Sequence, residues 1–260
     1  MYSFNYHRAQ SIDEARDMYS SGQDPVYLAG GMTLIPSIKQ RLSSPNEVID
    51  LGAIDSMKGT LTSGTSIRIG GLTTHSEVAS TSTIAALAAL AGGIGDPQVR
   101  NRGTIGGSIA NNDPAADYPA ALVGLGATVF TNDRSIPADD FFTGMFETSL
   151  ADGEIVTSVE FPMPTRAAYV KFPNPASRYA IVGVMVAETG GEVRVAVTGA
   201  GPYAFRMTEM ESALSSNFAP SAVADTRVDH SDFNVDLHAS SEYRAHLVRT
   251  MAQRAVAQIA

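Results

Sequence analysis

Thr104-Ile105-Gly106-Gly107-Ser108 interrupts the run Asp96–Phe130 and is followed closely by Asp113-Pro114 and Asp117. Backbone without side chains at Gly106 and Gly107 turns sharply and lets N–H groups approach an anion closely, as a cofactor pyrophosphate requires. A second segment, Ala29-Gly30-Gly31-Met32-Thr33-Leu34, lies between apolar Val26–Leu28 and a helix-like stretch from Leu34 to Leu42. A strand, a glycine turn and a helix start put free N–H groups and the positive end of a helix dipole at one point. One Gly-Gly pair is most simply a tight turn. Two such segments in 260 residues point to a phosphate site.

Local backbone has to hold that phosphate, because the chain as a whole repels it. Its formal net charge is −9, which disfavours nucleic acid and anionic membrane surfaces. A 44% hydrophobic, 17% charged composition is globular. No apolar run approaches the roughly 20 residues that span a bilayer, and the first residues lack a signal peptide's apolar stretch, so a cytoplasmic location is expected. With no cysteine, the chain offers no disulfide, catalytic thiol or Cys-ligated iron–sulfur cluster. No Ser-His-Asp set, paired-carboxylate motif or metal-ligand spacing is present, so no catalytic residue and no metal ligand is assigned.

The pattern predicts an α+β chain. From Phe4 to Leu51 it reads as a small parallel β/α layer: a short strand, a helix opened by Ser11-x-x-Glu14, strand Val26–Leu28, helix Leu34–Leu42 and strand Val48–Leu51. Next come a strand around Ile67 and Ile69, a helix capped by Thr74-x-x-Glu77, and an alanine-rich helix from Ile84 to Ala91 stopped by Gly92-Gly93. Asp117–Leu125 is expected helical, Ala127–Phe130 and Glu154–Phe161 extended, and Pro162 and Pro164 mark a boundary. Beyond it, Ile181–Val186 and Val193–Gly199 read as antiparallel strands turned at Gly190-Gly191, followed by helices at Thr208–Leu214 and Ser241–Ile259.

The segments at 27–42, 67–79, 96–122 and 141–162, with 199–214 and 239–255 behind them, resemble the FAD-binding medium subunit of molybdenum hydroxylases. That family includes the carbon monoxide dehydrogenase and xanthine dehydrogenase flavoproteins. The resemblance implies an FAD-binding domain of the vanillyl-alcohol-oxidase-like, PCMH type over 1–163, with subdomains of about 1–54 and 55–163. A C-terminal antiparallel sheet with helices would fill 164–260. It implies non-covalent FAD whose pyrophosphate is held by Ala29, Gly30, Gly31, Met32 and Thr33 and by Thr104, Ile105, Gly106, Gly107 and Ser108. Asp117 matches an acid that contacts the cofactor, suited to a ribityl or ribose hydroxyl. The backbone at Ile155 matches a strand edge facing the flavin pyrimidine ring. Lys171 and Tyr179 match a lysine beside and an aromatic over the isoalloxazine, where an ammonium opposes the negative charge gained on reduction and a phenol ring stacks. Apart from the resemblance, Asp117 also reads as a helix N-terminal acid, Lys171 as a surface lysine and Tyr179 as a half-buried strand tyrosine.

The loop Pro173–Arg178 departs from the family, which often carries basic residues and a Gly-Asp there, and no cysteine-bearing insertion is present. His75 reads as a helix-start packing residue, and His238 and His246 as tail-helix polar residues. The implied partners are an iron–sulfur small subunit and a molybdenum large subunit, as a dimer of heterotrimers, with NAD, oxygen or another carrier as acceptor. Electron transfer between subunits is the leading function; a stand-alone FAD-dependent oxidoreductase on the same fold is the alternative.

Overall fold

In the computed structural model, which describes residues 1–260, the parallel layer forms as the pattern requires. β1 (Asn5–Arg8), α1 (Ile12–Ser21), β2 (Pro25–Leu28), α2 (Leu34–Lys39) and β3 (Glu47–Asp50) give a three-stranded sheet in the order β1-β3-β2. Both strand pairs are parallel. Ser11 caps α1 by accepting from Glu14 N, while the Glu14 carboxylate reaches back to Gln10 N, one residue before the cap. α2 is shorter than expected, ending at Lys39 with Arg41 at φ +63.

The middle of the chain builds a five-stranded sheet. Its strands are β4 (Thr60–Ser63), β5 (Ser66–Gly70), β6 (Thr128–Thr131), β7 (Ser135–Pro137) and β10 (Val156–Pro162), ordered β4-β5-β10-β6-β7. Five helices lie between β5 and β6: α3 (His75–Thr81), α4 (Ala85–Gly92), α5 (Pro97–Arg100), α6 (Ile105–Asn111) and α7 (Tyr118–Leu125). α3 carries a complete capping box, with Thr74 N bonded to Glu77 Oε2 at 2.8 Å and Glu77 N to Thr74 Oγ1 at 3.3 Å. α8 (Ala138–Phe141) and a small hairpin, β8 (Phe142–Gly144) and β9 (Glu147–Thr148), follow β7. Sequence reasoning did not anticipate this hairpin; Asn112 fastens it by donating to Gly144 O and Glu147 O.

The rest forms an antiparallel sheet of β11 (Arg166–Pro173), β12 (Ala180–Thr189), β13 (Glu192–Thr198) and β14 (Phe205–Arg206). α9 (Thr208–Ser216) and α10 (Ser241–Ile259) cover one face. β12 reads as a near-continuous apolar run because it is covered on both faces. α7 packs on its other face. Every residue of α7 is buried, which explains its lack of a polar side. Met185 and Ala196 therefore share one apolar cluster with Tyr118, Leu122 and Val159. Arg194 ties the two parts together through Val123 O and Asp139. His238 lies before α10, in a turn whose N–H bonds to Asp236, and His246 lies on α10.

Candidate functional site

Both glycine segments open into one cleft of about 770 Å³, a size typical of cofactor sites. Of the fourteen residues singled out above, Ala29, Gly30, Gly31, Met32, Thr33, Thr104, Gly106, Gly107, Ser108, Asp117, Ile155 and Tyr179 line it. Ile105 points into the core and is fully buried. Lys171 stands behind the wall.

The two segments play different parts. The N–H groups of Gly30, Gly31, Met32 and Thr33 donate to no acceptor within the chain. Gly31, at φ +74, bends this run, and successive free N–H groups around such a bend form an anion-binding concavity. In the second segment every N–H from 105 to 108 is committed: Ile105 to Thr73 O, Gly106 to Gly71 O, Gly107 to the capping Thr104 Oγ1 and Ser108 to Thr104 O. Its glycines serve close approach, since a Cβ on Gly106 would lie 2.6 Å from Gly71 O. The segments also meet, because a Cβ on Gly30 would lie 2.0 Å from Arg102 O.

In the cleft wall Asp117 precedes the first turn of α7. One of its oxygens accepts from Tyr169 Oη at 2.5 Å and the other from Lys171 Nζ at 3.0 Å. Lys171 spends its other donors on Gly93 O at 3.0 Å and Arg178 O at 2.9 Å. It thus holds Asp117, the turn after α4 and the loop after β11 in one place. Burial pushes the Asp117 carboxyl above the usual carboxylate range, and Lys171 and Tyr169 oppose that shift. Tyr179 is 44% exposed beside this cluster. Burial, with Asp113 and Asp117 nearby, keeps its hydroxyl protonated. Arg178, at φ +65, fastens the same loop by donating to Gly95 O at 3.0 Å.

Ile155 packs on Leu51, Met57 and Leu72. Its N–H donates to Asn132 Oδ1 at 2.6 Å and its carbonyl accepts from Asn132 N at 3.1 Å, so its own N–H is already occupied. The preceding Glu154 carboxylate is held by Arg134 and Ala151 N at a pKa of about 2.

Sequence reasoning passed over three aromatic residues of the cleft wall: Tyr19, Tyr27 and, as a wall residue, His75. His75 lies against Gly103, and burial, aided by Arg100, holds its ring neutral with a pKa of about 4. No local sequence signal marks the two tyrosines, which meet only in the fold.

The donors and the space suit an extended dinucleotide: free N–H groups for a pyrophosphate, a carboxylate for hydroxyls and aromatic faces for flat rings. Residues 2–164 match the family described as the FAD binding domain in molybdopterin dehydrogenase, and 167–259 match the CO dehydrogenase flavoprotein C-terminal domain. The nicotine 6-hydroxylase medium subunit of Paenarthrobacter nicotinovorans is 32% identical, over 98% of this chain and 97% of that one. The carbon monoxide dehydrogenase medium chain of Hydrogenophaga pseudoflava is also 32% identical, over 97% and 96%. The solved quinoline 2-oxidoreductase of Pseudomonas putida 86 superposes with a TM-score of 0.88 at 25% identity, covering 99% of this chain and 96% of that one. This chain belongs to the FAD-binding medium subunits of the molybdenum hydroxylase family, which includes the carbon monoxide and xanthine dehydrogenase flavoproteins.

Proposed function

We propose that this chain carries electrons within a cytoplasmic complex, from iron–sulfur clusters on a small partner subunit to an external acceptor such as NAD or oxygen. A large molybdenum-bearing partner hydroxylates the substrate, and the assembly is a dimer of heterotrimers. The observation that carries this reading is the run of free N–H groups from Gly30 to Thr33 opening into a dinucleotide-sized cleft. The chain has no cysteine, so a Cys-ligated cluster has to come with a partner.

In this reading FAD, when bound, supplies the redox chemistry by accepting electrons and releasing them to the acceptor. Residues 29–33 hold its pyrophosphate, and Thr104 to Ser108 let it approach. Asp117 accepts from ribityl hydroxyls. Tyr179 covers one ring face, and Lys171 acts on the ring through Asp117 rather than by touching it. The strand edge at Ile155 borders the cofactor. We place the division between the FAD-binding part (1–163, with subdomains near 1–54 and 55–163) and the C-terminal part (164–260) at Pro162–Pro164.

The test is affinity purification of the tagged chain from its native host, followed by metal analysis. Iron and molybdenum in two co-purifying chains are expected. The isolated chain is expected to bind FAD and to reoxidise after artificial reduction without oxidising an organic substrate. Turnover of such a substrate by the lone 27.3 kDa chain would replace this reading with a stand-alone oxidoreductase.

A further inference from the structure

Gly183 stands inside β12 between Val182 and Val184, where a residue without a side chain weakens a strand. Tyr169 on the neighbouring β11 explains its place: a Cβ at 183 would collide with the Tyr169 hydroxyl and lie 2.8 Å from Cζ. The gap lets the tyrosine lie across β12, its ring against the apolar cluster of Tyr118, Leu122 and Val159 and its hydroxyl on Asp117 Oδ1 at 2.5 Å. Tyr169 and Lys171 are two residues apart, so they leave β11 on one face and reach the same carboxylate, one oxygen each. Asp117 lines the cleft and Tyr169 stands behind it.

The backbone that leads into Asp117 is fastened without this hydroxyl. Thr198 Oγ1 donates to Ala116 O at 2.7 Å and to Pro114 O at 3.1 Å, Gly199 N to Pro114 O at 2.9 Å and Ala180 N to Ala115 O at 3.1 Å. The contribution of Tyr169 is therefore confined to the carboxylate. Burial, with Asp117 beside it, keeps the hydroxyl protonated, so it can only donate to that acid. A donor favours the ionised form and opposes the upward push of burial on Asp117. Each Asp117 oxygen keeps a second lone pair for a donor from the cleft.

Resting on the FAD reading above, we infer that Tyr169 is a positioning residue for the flavin: from behind the cleft wall, in the space left by Gly183, its hydroxyl fixes the orientation and charge of Asp117 and, through Asp117, the reduction potential of the cofactor. The titratable groups facing Asp117 are Tyr169 and Lys171 from β11, Tyr118 from α7, and Tyr179, beside Asp113, from the loop after β11. Of these, Tyr169 and Lys171 bond to the carboxylate, and Lys171 alone brings a positive charge. Removing the Tyr169 hydroxyl leaves every formal charge in place and takes away one donor.

The test follows the reduction potential of bound FAD against pH, by dye-coupled titration, in the wild type, in Tyr169→Phe and in the double variant Asp117→Asn, Tyr169→Phe. Without the hydroxyl, Asp117 takes up its proton at higher pH than in the wild type. The Tyr169→Phe potential is expected to lie above the wild-type curve on the acid side and to rejoin it on the alkaline side, where Asp117 is ionised in both. The double variant has no carboxylate to titrate and should lose this step. The dissociation constant of FAD is expected to rise about tenfold in Tyr169→Phe, the worth of one hydrogen bond to a charged group. A folded Tyr169→Phe whose curve coincides with the wild type's would overturn the assignment, as would a step that persists in the double variant. Loss of the fold in Tyr169→Phe would make the hydroxyl a structural tie and overturn it too. An apoprotein that takes up no FAD refutes the FAD reading instead, whereas a protein that binds FAD at a potential indifferent to Tyr169 refutes this assignment alone.

Discussion

Lys171 Nζ lies 3.0 Å from Asp117 Oδ2, joining a strand of the C-terminal sheet to the residue that opens α7 at the cleft wall. The lysine side chain is 11% exposed and the aspartate's 4%, so neither is solvated well enough to stand alone. Removing one partner of a buried pair leaves an uncompensated charge and costs about 3–5 kcal/mol. Lys171→Met is therefore expected to lower unfolding stability by that order, measured by urea denaturation. The double variant Asp117→Asn, Lys171→Met should recover much of the loss.

In the function proposed above, the same pair sets the electrostatics beside the flavin. With Lys171 removed, this part of the cleft wall loses its positive charge, and the added negative charge of reduction is less well accommodated. The reduction potential of FAD bound to Lys171→Met is expected to fall, and that of Asp117→Asn to rise. An unchanged potential in both, by dye-coupled titration, would remove the pair from the flavin's surroundings.

The unequal roles of the glycine segments predict unequal variants. Gly31→Val forces a β-branched residue to φ +74 and puts its Cβ 3.0 Å from Ile35 Cγ1, which distorts the run of free N–H groups. Gly107→Val presses on Thr104 Oγ1 at 2.9 Å and disturbs the cap of α6, worth about 1 kcal/mol. Both should lose flavin, Gly31→Val the more strongly at matched fold stability. Quenching of FAD fluorescence by the apoprotein measures each.

What could be read from the sequence was local. The Thr74–Glu77 box, the Gly190-Gly191 turn and the bounds of α10 need only neighbours within a few residues, and the structure keeps them. The glycine segments were legible as phosphate-like, but their division of labour was not, because it depends on Gly71 and Thr73 accepting from Gly106 and Ile105. Lys171 and Asp117 are 54 residues apart, and Tyr27 meets Gly153 across 126. Such pairings follow from how three sheets stack, and no spacing in the chain encodes them.

Acid should weaken the fold in two steps with different owners. His75 has a folded pKa of about 4, below the ordinary 6.5, so the unfolded chain binds more protons between those values. Its contribution to stability is complete above pH 6.5 and is lost as pH falls towards 4, by up to about 3 kcal/mol. Glu154, held near 2 against an ordinary 4.5, loses its contribution only below pH 4.5. His75→Gln is expected to flatten the urea midpoint between pH 7 and 4.5, whereas Arg134→Met should lower the midpoint by a nearly constant amount across that range and flatten its fall below pH 4.5.

The way the flavin leaves the protein tests how it is held. His75 is the one histidine in the cleft wall, and its ring lies against the backbone of Gly103, with a Cβ there only 2.5 Å from Nε2. A ring confined in this way has no freedom to approach a flavin methyl carbon, and no cysteine is present to offer another link. On the function proposed above, the cofactor would be held without a covalent bond, by hydrogen bonds to residues 29–33, by stacking and by shape. Precipitation with acid should release all of the yellow colour into the supernatant as intact FAD, identified by its mass. Colour retained in the washed pellet of the wild type, but released from His75→Gln, would show a covalent bond and overturn this account of the cleft.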